Sequence, residues 1–328
     1  MRVLVHGAGA VGLGLGSFLL QGGAEPCFVT RPGIAAALRA HGLARSGRFG
    51  DCVAPPSRLR AASSLAELAA PVDFVLVTTK SFDSDRAGRE LARCDAALGA
   101  PPVVLCQNGW GNAEAVRAHL PAERIWNARV ITGFVLRVRS GEPVRVEITA
   151  HAEPVAIGSL LGEDAARVEP LCEALRRGGL PAAGTDRIAE ILWEKLLYNG
   201  CLNALGAILG VPYGTLGASQ PSRAILADVA AEIFAVMAAA GYRTRWPDAA
   251  AFLRSLHGEL LPPTAAHESS TLQDLRAGKR TEIDALNGAV VRLGAEHGVA
   301  APVNATLCRL VEALGRGAPQ EGRGAPSR

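Results

Sequence analysis

The sequence predicts an α/β fold in which a doubly wound, mainly parallel sheet is followed by an all-helical C-terminal domain. In the first half, short apolar runs alternate with helical stretches, a pattern typical of parallel strands joined by right-handed crossovers. From about Ile188 onward, apolar residues recur at spacings of three and four, which indicates helices. The chain has 328 residues, enough for two ordinary domains.

The N-terminal strands are placed by their apolar runs. The segment DFVLVTT has a continuous apolar centre, as a strand buried on both faces requires. We predict strands at Arg2–His6, Pro26–Thr30, Asp73–Thr79 and Pro102–Cys106, with a helix at Ala10–Gln21. More closely spaced strands are predicted to follow at Ile125–Thr132, Phe134–Arg139, Val144–Thr149 and Val155–Ile157.

A stretch rich in glycine and proline, Gly178–Asp186, marks the predicted boundary between the two domains. We therefore assign residues 1–184 to the sheet domain and residues 185–314 to the helical domain, which is expected to open with a helix at Ile188–Leu209. The tail, residues 315–328, contains the sequence GRGAP twice and is predicted to be disordered.

Composition excludes several classes of protein. The net charge is only +3 and no block of Lys and Arg stands out, so we expect no nucleic-acid partner. The seven cysteines include no CxxC spacing, which argues against disulfides and against a metal site and favours a reducing compartment. No apolar run approaches the roughly 20 residues of a membrane span, and a strand at Arg2 leaves no room for a signal peptide. A cytoplasmic protein without a membrane partner is expected.

A glycine loop follows the first predicted strand and opens the first predicted helix. The loop consists of Gly7, Ala8, Gly9, Ala10, Val11 and Gly12. In this context Gly7 permits a tight turn, Gly9 lets the backbone approach a pyrophosphate, and Gly12 allows close packing of helix on strand. Helix N–H groups would then face the phosphates. A plain strand-turn-helix with small residues is the alternative, but the context favours a dinucleotide site.

The end of the second strand favours NADPH over NADH. Enzymes that use NAD usually have Asp or Glu there to hold the ribose hydroxyls. This chain has Thr30 and Arg31 instead, so no carboxylate repels a 2′-phosphate and the guanidinium can pair with one. An ordinary exposed arginine is the alternative for Arg31.

Two polar residues follow strongly apolar runs. Lys80 ends VLVTTK, and Asn108 lies in the turn QNG after VVLC. Because ligands of open α/β sheets lie beyond the carboxyl ends of the strands, both are candidates for contact with the cofactor ribose or the substrate. Either could instead be a loop residue, since Asn-Gly forms turns in its own right.

A polar stripe crosses the apolar helix at Ile188–Leu209. Lys195, Asn199 and Asn203 are each four residues apart and so lie along one face. Asparagine is a poor helix former, so two of them in register with a lysine indicate a face turned to a ligand rather than a solvated face shared with Glu190 and Glu194. A lysine in such a place can protonate the oxygen when a carbonyl is reduced.

The segment HESSTLQDLRAGKRTEIDALNG, residues 267–288, contains two further candidates, Ser270 and Glu282. Pattern alone favours structural roles for both. Ser270 with Gln273 fits a capping box, and Thr281 with Asp284 fits a second, weaker one. Glu282 would then be a first-turn carboxylate that faces the helix dipole.

The motifs together resemble those of the ketopantoate reductase family (2-dehydropantoate 2-reductase). They are GAGAVG, the lysine after VLVTT, the QNG turn, WEKLLYNGCLN, SSTLQD and TEIDALNG, in that order. The resemblance extends from Met1 to about Leu314. It implies an NADPH-binding Rossmann-type domain, a helical substrate domain, and an active site in the cleft. The implied reaction is the NADPH-dependent reduction of ketopantoate to (R)-pantoate for pantothenate and coenzyme A synthesis.

The resemblance also implies roles for individual residues. Lys195 would be the general acid. Glu282 would hydrogen-bond the oxygen-bearing groups of the substrate and help fix the lysine, and this role would replace the structural role that pattern alone favours for Glu282. Asn199, Asn203 and Ser270 would hold the substrate. Asn108 and Lys80 would lie at the nicotinamide ribose and the substrate.

Departures from the family pattern leave the substrate open. Thr271 stands where Met is common, Ala204 where Pro is common, and Trp110 where Met is frequent, while Val130–Phe134 lacks a histidine found in some members. A different 2-oxo acid or an imine is one alternative. An NADPH-binding regulatory protein without turnover is another. A homodimer is one oligomeric state that the sequence leaves open.

Overall fold

The computed structural model describes residues 1–317. These residues form two compact units, one from Met1 to Ile188 and one that begins at Ala189. The predicted division between residues 184 and 185 falls within a few residues of this one.

The first unit contains the strands and five of the helices. The strands are β1 (Arg2–His6), β2 (Glu25–Val29), β3 (Leu43–Gly47), β4 (Cys52–Ala54), β5 (Arg60–Ala62), β6 (Phe74–Val77), β7 (Val103–Leu105), β8 (Ile125–Arg129), β9 (Thr132–Arg137), β10 (Val144–His151), β11 (Val155–Gly158) and β12 (Ala182–Gly184). The helices are α1 (Ala10–Gln21), α2 (Pro32–His41), α3 (Ser84–Leu98), α4 (Asn112–Arg117) and α5 (Glu169–Arg177).

The main sheet of this unit has eight strands in the order β12-β11-β8-β7-β6-β1-β2-β5. Strand β1 pairs in parallel with β2 on one side and β6 on the other, so the direction of winding reverses there. Only β11 runs antiparallel to its neighbour β8. This is the doubly wound sheet that the sequence predicted.

The central strands are buried on both faces, which explains their unbroken apolar runs. Val3 and Val5 of β1 belong to a core that also contains Leu13 of α1. Leu4, which points to the opposite face, belongs to a second core together with Leu91 of α3. Helices therefore cover both faces of the sheet, as parallel strands require.

A second sheet in the same unit has four strands in the order β4-β3-β10-β9 and packs against α1. The contact is close, because a Cβ atom on Gly14 would lie 2.2 Å from the ring of Phe134. Strands β3, β4, β5 and β12 were not predicted from the sequence. Three of these have only three residues and so no periodicity, and β3 carries the fully buried Arg45, a residue type that apolar patterns do not include.

The described part of the second unit consists of helices and turns and contains no strand, which confirms the predicted all-helical domain. Helix α6 (Ile188–Leu209) has the predicted bounds. It is followed by α7 (Tyr213–Ala218), α8 (Gln220–Ala239), α9 (Ala249–Ser255), a π-helical turn (Leu256–Leu260), α10 (Ser270–Arg276), α11 (Asn287–Glu296) and α12 (Pro302–Gly317).

The predicted disordered tail is wrong at its start, because α12 continues to Gly317 and so includes residues 315–317. The helix thus runs three residues past Leu314, although Gly315, Arg316 and Gly317 have no apolar side chains that would have indicated it. The rest of that predicted tail, residues 318–328, lies outside the described residues.

A buried polar chain fixes the middle of α6. The carboxylate of Glu232 accepts the backbone N–H groups of Val303 and Asn304 at 2.8 and 2.9 Å, and also the side-chain amide of Asn304. The Asn304 side-chain oxygen in turn accepts from Nδ2 of Asn287, which also donates to the carbonyl of Gly200 at 2.9 Å. Helices α8, α11 and α12 thus hold the helix that carries the polar stripe.

Candidate active site

The glycine loop forms a tight turn that a side chain would not fit. Gly7 has a φ of +80°, and a Cβ atom there would lie 2.3 Å from the side chain of Thr79 and 2.7 Å from its backbone nitrogen. A Cβ atom on Gly12 would lie 2.4 Å from Oγ1 of Thr78 and 2.9 Å from Val5, so α1 packs closely on β1 and β6. These are the turn and the close packing that the sequence predicted for the two glycines.

The first turn of α1 has no side-chain cap. Its N-cap residue is Gly9, and no acidic residue lies in the first turn. A Cβ atom on Gly9 would meet nothing nearer than the carbonyl oxygen of Gly7 at 3.9 Å, so the space beside it is open. The N–H groups of Ala10, Val11 and Gly12 precede the first backbone bond of the helix, from Leu13 to Gly9. Such an end fits a pyrophosphate, whose charge and oxygens match N–H groups and the helix dipole.

The end of β2 is tied to the glycine loop. The Thr30 hydroxyl donates to the carbonyl of Ala8 at 2.6 Å, and the N–H groups of Gly7 and Ala8 donate to the carbonyl of Val29. Arg31 follows directly, with an exposed side chain, as the N-cap residue of α2. The guanidinium is therefore carried on backbone that is fixed to the loop.

A buried polar network joins the turns that carry Lys80 and Asn108. The Gln107 amide donates to the hydroxyls of Thr79 and Ser84 at 3.1 and 2.8 Å. Ser84 donates to the Asn112 side chain at 2.8 Å, and Asn112 donates to the carbonyl of Asn108 at 3.0 Å. Ser84 and Asn112 were not predicted from the sequence, because they are distant from each other in the chain and match no motif.

Lys80 and Asn108 follow neighbouring parallel strands, β6 and β7, so the structure brings their turns to one edge of the sheet. Both residues are half-buried. This is the edge at which β1 ends in the glycine loop, because β6 also pairs in parallel with β1. The geometry is that expected of side chains at a dinucleotide site.

His6, the last residue of β1, lies directly before the glycine loop and is buried. Its Nε2 atom is 2.9 Å from the Glu90 carboxylate of α3. Burial lowers the pKa of His6 below its usual value, although the bond to Glu90 acts in the opposite direction. The imidazole is therefore neutral near pH 7.

The polar stripe of the second unit becomes more buried along α6. Lys195 and Asn199 are half-buried, whereas Asn203 is only 4% exposed. A fully solvated face is thereby excluded for the third member. The Asn203 side-chain oxygen accepts a hydrogen bond from the Tyr213 hydroxyl at 2.6 Å, and its backbone carbonyl accepts from Ser269 at 3.1 Å.

The capping box predicted at Ser270 is wrong. Ser269 is the N-cap residue of α10, and its hydroxyl accepts from the N–H of Leu272 at 3.0 Å. Ser269 is fully buried and Ser270 is exposed. Two adjacent serines left the pattern ambiguous by one residue. Ser270 therefore does not cap α10, so the pattern no longer favours a structural role for it over substrate binding.

The second predicted cap, at Thr281, is also wrong. The turn at Ile283–Ala285 is a short 3-10 segment preceded by Glu282, and no side chain caps it. Glu282 is 8% exposed, unlike a carboxylate on a solvated first turn. The three-residue 3-10 segment is too short to have an appreciable helix dipole, and the next helix, α11, begins only at Asn287. Glu282 therefore does not lie in the first turn of a helix.

An open pocket of about 560 Å³ lies elsewhere in the second unit. It is lined by Arg245, Trp246, Ala251, Arg254, Ser255 and Glu259. None of the predicted site residues lines it. The pocket is connected to α6 through Arg245, whose backbone N–H donates to Glu194 at 3.3 Å.

Metal sites and membrane-spanning helices are both absent from the described part of the chain. No group of three or more His, Cys, Asp or Glu residues there could hold a metal ion. Within the same residues, no helix has both the length and the apolar character to cross a membrane.

Two family models match the chain. Residues 3–162 match the model described as ketopantoate reductase PanE/ApbA, and residues 187–315 match ketopantoate reductase PanE/ApbA C terminal. The 2-dehydropantoate 2-reductase of Aquifex aeolicus is 30% identical over 315 residues, which cover 95% of this chain and 96% of that protein. The enzyme of the same name from Halobacterium salinarum is 32% identical, and the match covers 95% and 98%.

Solved structures of similar proteins extend over the same range. A PanE/ApbA family ketopantoate reductase from Ralstonia eutropha has a TM-score of 0.81 at 31% identity, covering 96% of this chain and 99% of that one. A D-mandelate dehydrogenase in a ternary structure with NADH and anilino(oxo)acetate has a TM-score of 0.82 at 25% identity, covering 96% and 98%.

Proposed function

The chain belongs to the ketopantoate reductase family, and we propose that it reduces ketopantoate (2-dehydropantoate) to (R)-pantoate with NADPH. Membership makes it an oxidoreductase that acts on a CH–OH group with a nicotinamide cofactor. The observation that carries the substrate proposal is the polar face of α6, where Lys195, Asn199 and Asn203 follow one another along a mainly apolar helix. The product would serve pantothenate and coenzyme A synthesis in the cytoplasm.

The choice of NADPH depends on the end of β2. No carboxylate stands there, the Thr30 hydroxyl is bonded to Ala8, and the exposed Arg31 can pair with a 2′-phosphate. The D-mandelate dehydrogenase structures contain NADH. Arg31 is therefore the residue on which the preference for NADPH rests, while the glycine loop would hold the pyrophosphate with either cofactor.

In the proposed mechanism Lys195 is the general acid. When bound, the reduced nicotinamide supplies a hydride to the carbonyl carbon of the 2-oxo acid. The carbonyl oxygen gains negative charge as the hydride arrives, and the ammonium of Lys195 stabilises that charge and donates a proton to the oxygen. Glu282 would hold the lysine and the nascent hydroxyl in position.

Other residues would hold the reactants. Asn199, Asn203 and Ser270 would bind the carboxylate and hydroxyl groups of the substrate. A ligand without those groups would leave these side chains unpaired, which costs binding free energy. Lys80 and Asn108 would contact the nicotinamide ribose and the substrate. The buried bonds of Gln107 and Asn112 support these roles, because they hold both turns in place.

The test is the steady-state rate of NADPH oxidation with ketopantoate. Lys195→Ala is expected to lower kcat by about 10²- to 10⁴-fold, the usual contribution of general acid catalysis. Lys279→Ala is the matched control, since Lys279 is an exposed lysine of the same unit. If the Lys195 variant stayed within about threefold of the control, Lys195 would not be the acid.

A second substrate class is favoured by one observation, the similarity to a D-mandelate dehydrogenase that binds an aromatic oxo acid. The chain also has Ala204, Thr271 and Trp110 where the family often has other residues. We therefore propose a different 2-oxo acid, an aromatic one above all, or an imine, as the alternative substrate. A panel of these compounds ranked by kcat/KM separates the two proposals. Tight NADPH binding without turnover of any of them would indicate a regulatory protein instead.

A further inference from the structure

The side chain of Asn203 is oriented by a residue outside α6. Its oxygen, Oδ1, accepts from the Tyr213 hydroxyl at 2.6 Å, and its backbone carbonyl accepts from Ser269. Among the described residues, the amide nitrogen Nδ2 has no hydrogen-bond partner and is not one of the fully buried polar atoms. The small exposed surface of Asn203 therefore includes a group with two N–H donors.

The short distance identifies which atom of the amide faces the tyrosine. A separation of 2.6 Å is typical of O–H donating to oxygen, whereas N–H donors prefer about 2.9 to 3.0 Å. The hydroxyl of Tyr213 therefore bonds to Oδ1 rather than to Nδ2. A hydroxyl that donates to Oδ1 holds the amide in the orientation in which Nδ2 points away from the tyrosine, whereas a flipped amide would instead have to donate to the same hydroxyl oxygen.

Tyr213 is itself firmly held. Its ring is 3% exposed and packs edge-on against Tyr198, with centroids 5.9 Å apart, and against His267 at 5.2 Å. The backbone N–H of Tyr213 donates to the carbonyl of His267 at 3.0 Å. Burial raises the pKa of Tyr213, so the hydroxyl keeps its proton throughout the physiological range.

We propose that Tyr213 is a positioning residue that turns the N–H donors of Asn203 toward the substrate and thereby selects a substrate with an acceptor oxygen at that place. The inference rests on the proposed function, in which Asn203 contacts the 2-oxo acid. Its carboxylate is the strongest acceptor in such a molecule. A substrate that presents an N–H₂ group there would place its own donors against the N–H donors of Asn203 and would bind less well.

The first test compares Tyr213→Phe with Tyr198→Phe. Both remove one hydroxyl and keep an aromatic ring, but the Tyr198 hydroxyl bonds to Thr264 and not to an asparagine of the stripe. We expect Tyr213→Phe to lower kcat/KM for the 2-oxo acid by about 10- to 100-fold, mainly through KM, because one hydrogen bond to a charged group is lost. The control should stay within about threefold.

The second measurement separates orientation from general damage. The ratio of kcat/KM for the 2-oxo acid over its primary amide is measured in each variant. In Tyr213→Phe the freed amide can rotate and present its oxygen to the N–H₂ group, so the ratio should fall further than in the control. A variant that is only less stable would lose both activities together. NADPH affinity, measured by fluorescence, should remain that of the wild type.

A double-mutant cycle tests whether Tyr213 acts through Asn203. In the background of Asn203→Ala, adding Tyr213→Phe should change the acid-to-amide ratio by less than about twofold. Asn203→Asp serves if Tyr213→Phe does not fold. It puts a negative charge where the donors face the substrate, and we expect the preference for the acid to reverse.

The outcomes distinguish this inference from the proposed function. If the wild-type protein turns over the acid but Tyr213→Phe and Tyr198→Phe have the same acid-to-amide ratio, the inference is wrong and the proposed function stands. An additive effect in the double mutant also overturns it. If the wild-type protein neither reduces any 2-oxo acid with NADPH nor binds one in calorimetry in the presence of NADP⁺, both are wrong.

Discussion

The glycine loop of the first unit and the polar face of α6 in the second are built from different materials. In the loop, the groups proposed to bind a ligand are backbone N–H groups, and Gly9 leaves the end of α1 without a side-chain cap. On α6 they are side chains, and Asn203 takes its orientation from Tyr213 on the next helix. The glycine loop depends on having no side chains that would block the backbone N–H groups. The polar face of α6 depends on residues distant in sequence that orient its side chains.

The starts of two helices show the same contrast at short range. The end of α1 is open, but that of α10 is closed by the buried Ser269, whose hydroxyl accepts a backbone N–H. Only the first has the N–H groups available for an anion. Of these two helix starts, the one without a capping side chain is therefore the one that can accept a phosphate.

The largest effect is expected from adding one methyl group to the loop. Gly7→Ala should lower NADPH affinity more than 100-fold and destabilise the first unit by about 3 kcal/mol or more, through strain at positive φ together with overlap with Thr79. Affinity is measured by fluorescence titration, and the free energy of unfolding by urea denaturation.

Gly23→Ala is the matched control for this variant. Gly23 has a φ of +84°, but a Cβ atom there would meet nothing within 4 Å. Strain alone costs about 1–2 kcal/mol. If the two variants were equally stable and bound NADPH equally well, the loop would not require a glycine whose backbone lies close to Thr79. The proposed difference between a site of backbone groups and a site of side chains would then be wrong.

A smaller effect is expected from the one side chain proposed to take part in the first site. Arg31→Ala should raise the KM for NADPH by about 10- to 100-fold and leave that for NADH unchanged, because only NADPH has the 2′-phosphate. Arg93→Ala, at an exposed position on α3, is the control. Equal changes for both cofactors would assign Arg31 a general role and would remove the argument for NADPH.

The same contrast explains how much the sequence alone predicted. The doubly wound sheet, the helical second unit and both ends of α6 were predicted correctly, because each depends on residues that are close in the chain. The glycine loop was also readable, since its geometry needs glycine at Gly7 and Gly12.

Features that depend on distant residues were not predictable in this way. The bonds from Ser84 to Asn112 and from Tyr213 to Asn203 join residues that share no periodicity. Polar residues in such bonds look like ordinary loop or helix residues in the sequence. The capping error at Ser270 is of another kind, because either of two adjacent serines satisfied the local pattern and only the fold selects one.

The smallest expected effect concerns pH and the residue before the loop. Burial lowers the pKa of His6 in the folded state, while Glu90 and Asp83 raise it and Arg86 lowers it further. The unfolded chain then binds a proton more readily, so the free energy of unfolding falls as pH drops below about 6.5, until His6 is protonated in the folded state as well. His6→Gln should reduce this loss between pH 7.5 and pH 5, because glutamine does not titrate in that range.

Urea denaturation at each pH measures the effect, and His41→Asn, at an exposed position of the same unit, is the control. Desolvation also lowers the pKa of His267, so the comparison with the His6 variant matters more than the total pH dependence. An unchanged pH dependence in His6→Gln would mean that the ion pair with Glu90 offsets the cost of burial. In that case the end of β1 would tolerate a protonated His6, and the geometry of the glycine loop would depend on its glycines alone.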